Sequence, residues 1–98
     1  MDINSILSKS KQLDEEYFAA RNELYAEASK ELDATVLGID GRSIHIYEAE
    51  WVACISGAVI TKRNDEYYPW QIDANTDEVH YFSLMRDELK KELEGRLI

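Results

Sequence analysis

The sequence predicts an α+β domain with a long N-terminal helix, a mostly antiparallel meander of about five strands and a C-terminal helix. Three observations point to it. Apolar residues recur every three or four positions near both ends of the chain, they alternate with period two in the middle, and Asp40-Gly41 separates two alternating runs as a hairpin turn does. At 98 residues there is room for one hydrophobic core, so residues 1–98 are expected to form a single domain. Apolar residues make up 45% of the chain, with six Tyr and two Trp among them, enough to bury against the entropy of ordering the backbone.

The first helix is predicted from Ile6 to Leu32. Leu13, Tyr17, Ala20, Leu24, Ala28 and Leu32 form one apolar stripe, Asn4 or Ser5 is placed to cap its start, and a helix of this length spans roughly 40 Å. Asp14, Glu15, Glu23, Glu27 and Glu31 occupy its other faces, with Arg21 and Lys30 among them. Next, Thr35 to Ile39 and Arg42 to Tyr47 flank Asp40-Gly41 as a two-residue hairpin, with Ile39 opposite Arg42 and Leu37 opposite Ile44. Leu37, Ile39, Ile44 and Ile46 then face the core, and Val36, Ser43, His45 and Tyr47 lie on the other face, open to solvent or to a partner.

Residues 48–56 read two ways: Ala49, Val52 and Ala53 suit a short helix, the favoured reading, while Trp51 to Ile55 could continue a strand. Gly57 is free to take a left-handed conformation after the helix, and Ala58 to Lys62 reads as a strand. Tyr68, Trp70 and Ile72 alternate, but Pro69 lacks an amide proton, which predicts an edge or bulged strand there. Asp73 to Asp77 has the chemistry of a turn, and Val79 to Ser83 reads as the last strand. From Leu84 the period changes: Leu84, Met85, Leu89 and Leu93 mark the closing helix, with Ser83 as its cap and Gly95 near its stop.

Composition limits the function. Twenty acidic residues against 11 basic ones leave a net charge of −9, which repels DNA and RNA, and Lys9/Lys11 and Lys62/Arg63 are pairs too small to form a phosphate-binding patch. The single cysteine, Cys54, allows no internal disulfide and fits a reducing cytoplasm. The first residues carry an early acid in place of a basic leader, and no apolar run approaches the ~20 residues of a membrane span, so neither export nor membrane insertion is expected.

Chemistry is sparse. Cys54 with His45 or His80 is the one combination that could form a thiolate nucleophile, but no local motif supports it, and a cysteine between Ala53 and Ile55 reads as a small core residue. One cysteine and two histidines do not make a zinc site. Asp73, Asn75, Asp77 and Glu78 resemble the opening of a calcium loop but lack its glycine and its downstream glutamate. The acid pairs Glu15-Glu16 and Asp87-Glu88 fall on exposed helix faces where nothing raises a carboxyl pKa, and four scattered glycines make no phosphate loop. No cofactor, metal or catalytic residue is expected. Of the aromatic residues, Trp70 is assigned to the core, while Trp51 and Tyr67, each beside a charged residue, are candidates for an exposed patch.

Trp51, Ile60-Thr61-Lys62, Tyr68-Pro69-Trp70 and the run Val79 to Leu84 resemble the pattern of uncharacterised short proteins of phages and mobile elements of Gram-positive bacteria. The resemblance covers the second half of the chain and rests on structural motifs. It implies an intracellular accessory protein made during infection or carried by a prophage, and it carries over no function or site.

The leading expectation is therefore a non-enzymatic, acidic, cytoplasmic protein that binds a basic, nucleic-acid-binding host protein and modulates or inhibits it by imitating a phosphate track. Asp14, Glu15, Glu23, Glu27 and Glu31, with Trp51 and Tyr67, are its expected partner-binding residues. The alternative is a structural or regulatory homo-oligomer paired through the long first helix. An enzyme, the third reading, needs a deep pocket enclosing Cys54 and a histidine.

Overall fold

The computed structural model describes residues 2–13 and 18–97, with side chains described for residues 2–8 and 21–97. The predicted long helix is two: α1 (Ile3–Leu13) and α2 (Phe18–Leu32), which pack against each other. Asp14, Glu15 and Tyr17 lie outside the described residues. Ile6 shares one hollow with Glu27 and Glu31, whereas a continuous helix would hold Ile6 and Glu27 about 31 Å apart. Sheet size explains the correction. The longest strands have seven residues, about 23 Å, and a 40 Å helix would carry its stripe past the surface that has to cover it. Folding back buries Ile6 and Leu7 of α1 together with Leu24 and Ala28 of α2.

The sheet follows in β1 (Val36–Asp40), β2 (Ser43–Ile46), β3 (Val59–Lys62), β4 (Trp70–Thr76) and β5 (Val79–Met85), with α3 (Ala49–Ala53) between β2 and β3 and α4 (Asp87–Glu94) at the end. The strand order is β1-β2-β5-β4-β3, and it is mixed: β2 and β5 run parallel, while the other three pairings are antiparallel. A simple meander is thus overturned. After β2 the chain crosses as α3 to the far edge, and the β3–β4–β5 meander then works back until β5 lies beside β2. This route lets Ala49, Val52 and Ala53 of α3 cover the sheet that the crossing spans.

Several local predictions shift with it. Asp40 pairs with Ser43, so the hairpin turn is Gly41-Arg42; Gly41 at φ +61° is the glycine that a type II′ turn needs at its first central position. The β1–β2 register slips between Val36 and Gly38. This bulge turns Val36 into the core and leaves Leu37 48% exposed, the reverse of the predicted alternation. β4 is an inner strand that starts directly after Pro69, so the missing amide falls outside the ladder and blocks no edge.

The turn expected over residues 73–77 is mostly strand, and the reversal is confined to Asp77-Glu78. β5 continues through Met85, because Val79, Tyr81, Ser83 and Met85 keep facing inward; α4 starts at Asp87, with Arg86 and not Ser83 at its cap position. Ile6, Ile44, Ile46, Val52, Ile72 and Leu93, all nearly inaccessible, join three elements of the core, β2, α3 and β4, to the two terminal helices. Among the described residues no helix is long and apolar enough to cross a membrane.

Candidate functional site

The alternation of the strands defines a second sheet face, opposite the core. Ser43 and His45 of β2, His80, Phe82 and Leu84 of β5, and Gln71 and Asp73 of β4 lie on it, all half-buried. His45 and His80 stack on either side of Phe82, with ring centroids 4.7 and 5.6 Å away. A polar chain runs beside them. Ser43 Oγ is 3.0 Å from His80 Nδ1, His80 Nε2 is 2.6 Å from Asp73 Oδ2, and the Gln71 amide donates to both Asp73 oxygens.

The order serine, histidine, aspartate is that of a proton relay. In the tautomer that carries its proton on Nε2, His80 donates to Asp73, and Nδ1 is then the acceptor for the Ser43 hydroxyl. Acyl transfer also needs amide donors aimed at the developing oxyanion. Ser43 sits within a strand paired on both sides, with Asp40 across one ladder and His80 across the other, so the backbone around it is engaged in the sheet. The network ties the parallel β2–β5 pair to β4.

A different feature forms where the parallel strands β2 and β5 end and the chain diverges into α3 and α4, the place in α/β layers where hollows form. Leu37, His45, Tyr47, Tyr68 and Leu84 line an apolar hollow of about 350 Å³ there. Tyr47 is 68% and Tyr68 41% exposed. Tyr68 is held by its loop: Asp65 accepts the backbone N–H of Tyr68 at 2.7 Å and of Tyr67 at 2.9 Å, and Arg63 donates to the Tyr68 carbonyl. Those amide bonds keep the Asp65 carboxyl below its ordinary range. Arg86 lies over the Tyr68 ring at 5.5 Å. The hollow continues past Tyr47 and Leu84 to Glu50 and Glu88, and past Arg86 to Glu66 and Asp87.

Glu23, Glu27 and Glu31 are all exposed along α2, one turn apart, and none joins a salt bridge with another described residue. Trp51 is not part of an open patch. Its indole N–H donates to the Leu32 carbonyl at 3.1 Å and its ring meets Tyr81 edge-on at 5.0 Å, so it pins the end of α2 to α3 and β5. Tyr67 is 72% exposed, in the β3–β4 loop. α2 packs on β1, at the opposite edge of the sheet from β3, so Tyr67 and the α2 carboxylates do not form one cluster.

Cys54 is exposed at the end of α3, not in the core. α3 covers the core face, whereas His45 and His80 stand on the other, so the thiol and the imidazoles are on opposite sides of the sheet. Among the described residues no group of three His, Cys, Asp or Glu side chains could hold a metal ion, and the residues compared above to a calcium loop form the end of β4 and its turn.

Sequence reasoning placed His45 and Tyr47 on the outward face but missed Leu37, Tyr68 and Leu84. The β1 bulge and the continuation of β5 decide Leu37 and Leu84, and neither has a local signature. The fold and its groove describe a small mixed-sheet α+β protein with an apolar hollow beside acidic side chains. Comparison of the chain with protein families, with curated proteins and with solved structures finds no match.

Proposed function

We propose that this protein is a non-enzymatic binding protein that docks on a basic, nucleic-acid-binding protein and modulates or inhibits it by presenting carboxylates in place of phosphates. The observation that carries the reading is the row Glu23, Glu27 and Glu31, exposed and outside salt bridges among the described residues, on a chain of net charge −9. Four residues at 1.5 Å set successive carboxylates about 6 Å apart along the helix, a regular row of negative charge as a phosphate strand also presents. Lys30 lies in the same hollow as Glu27 and Glu31 without a salt bridge to either, and three carboxylates against this one lysine leave the row an excess of negative charge. Elsewhere Lys62 and Lys90 lie over Trp70, and Arg42 donates to Asn4 and to a backbone carbonyl. An uncompensated field of this kind speeds encounter with a cationic surface.

The single cysteine fits a cytoplasmic setting, and the resemblance to phage and mobile-element proteins makes a host defence nuclease or DNA-binding factor the natural target. Capture on the immobilised protein from a Gram-positive host lysate, followed by purification of the bound protein, supplies the partner. Duplex DNA is then expected to compete with this protein for it, and the affinity to fall steeply with salt. Changing Glu23, Glu27 and Glu31 together to Gln is expected to weaken binding about tenfold, at roughly 0.5 kcal/mol per charge. Binding indifferent to salt, or full affinity in the triple amide variant, refutes the proposal.

A further inference from the structure

The groove at the ends of β2 and β5 is graded in chemistry. One end is apolar, with Leu37, Tyr47, Tyr68 and Leu84 around it, and Leu37, Tyr47 and Tyr68 are each more than 40% exposed. The other end carries four carboxylates, Glu50, Glu66, Asp87 and Glu88; of the nearby cations, the Arg86 guanidinium already lies over the Tyr68 ring and Arg63 is held by the Tyr68 carbonyl and Asp65. Contiguous exposed aromatic and aliphatic side chains beside a charged rim are the composition of an interaction site.

Charge decides what fits. A second copy of this chain brings its own net charge of −9 and the same acidic rim, which repel. We infer that the groove receives a segment of a basic partner protein in which one aliphatic or aromatic side chain enters the apolar end and adjoining lysine or arginine residues meet the carboxylates. The inference rests on the reading of the protein as a binder of a basic partner, and adds a second contact surface distinct from the α2 row. The anchor supplies most of the affinity because its burial desolvates Tyr47 and Leu37, while the rim sets orientation and encounter rate.

The test uses the full chain, ¹⁵N-labelled, with blocked synthetic peptides of about 12 residues. One has a single Phe beside a run of Lys and Arg, a second replaces that Phe by Ser, and a third replaces Lys and Arg by Glu. The expected result is amide shifts at Tyr47, Tyr68, Leu84 and Glu88 with the first peptide and not with the other two. The double variant Leu37→Ser/Tyr47→Ser, at exposed positions, is expected to weaken the first peptide about tenfold, and Glu23→Gln/Glu27→Gln/Glu31→Gln to change it less than about twofold. Thermal melts of both variants verify the fold.

Equal binding of the Phe and Ser peptides, or shifts confined to α2, overturns the groove while leaving the basic-partner reading standing. If no cationic peptide shifts any amide and no basic protein is captured, both fall.

Discussion

His45 stacks on Phe82 at the margin of the groove, where burial first and the nearby Arg63 second hold its imidazole below the ordinary value of 6.5. The folded protein therefore resists a proton that the unfolded chain accepts. Stability from the neutral imidazole is fully present above about pH 6.5 and is lost as the pH falls through the depressed folded value. His45→Gln removes that loss. In urea unfolding, the advantage of the wild type over this variant is expected to shrink between about pH 7.5 and about pH 5.5; a constant gap overturns the account. Glu48 titrates in the same sense at lower pH. The Thr35 hydroxyl and amide each donate to its carboxylate at 2.6 Å and keep it ionised, so that clasp is lost only as acid reaches the carboxyl range. Trp51 gives a second residue-level expectation. Trp51→Phe keeps the edge-on contact with Tyr81 but leaves the Leu32 carbonyl without the indole donor, at a cost of about 1 kcal/mol in the same unfolding measurement.

At the scale of elements, the β4–β5 hairpin carries the longest register in the sheet and turns on two non-glycine residues in left-handed conformation, Asp77 at φ 41° and Glu78 at φ 70°. A type I′ turn demands both positive angles and favours Asp-Gly, so Glu78 is strained by roughly 1 kcal/mol. Glu78→Gly retains the backbone carbonyl that accepts from Arg42 and is expected to raise stability by about 0.5–1 kcal/mol in chemical denaturation. A loss would show that the Glu78 side chain contributes what the strain costs. The same hairpin shows what sequence can and cannot reveal. The aromatic and β-branched run from Val79 to Ser83 marks β5, and the apolar steps at Leu24, Ala28 and Leu32 mark helix where α2 lies but join it to α1 as one continuous helix. An unfavoured turn such as Asp77-Glu78 leaves no local signal, so the reversal was placed several residues early. Nor does local pattern disclose that β2 and β5 pair in parallel, since that pairing joins residues 37 positions apart, as Ser43 and His80 show. The groove inherits this non-locality: Leu37, Tyr47, Tyr68 and Leu84 meet only once the crossover is closed.

For the molecule as a whole, net charge carries an energetic consequence independent of any partner. Nine uncompensated negative charges on a body of 39 × 27 × 19 Å repel one another over distances that salt controls, with a Debye length of about 30 Å at 0.01 M and about 3 Å at 1 M. Glu23, Glu27 and Glu31 add two like-charge i,i+4 contacts on α2, each unfavourable by about 0.2–0.5 kcal/mol. Replacing all three by Gln is thus expected to stabilise the fold by about 0.4–1 kcal/mol at low ionic strength, with the gain vanishing at about 1 M salt. Thermal unfolding of wild type and variant across a salt series measures it. The same substitution is expected to weaken the complex with a basic partner, so stability and binding move in opposite directions. A row that only solubilised the chain would raise stability when neutralised and leave partner affinity unchanged. A row that stabilised the fold through contacts of its own would lower stability at every salt concentration. Opposite signs in the two measurements are the signature of carboxylates held in mutual repulsion for a cationic surface to relieve.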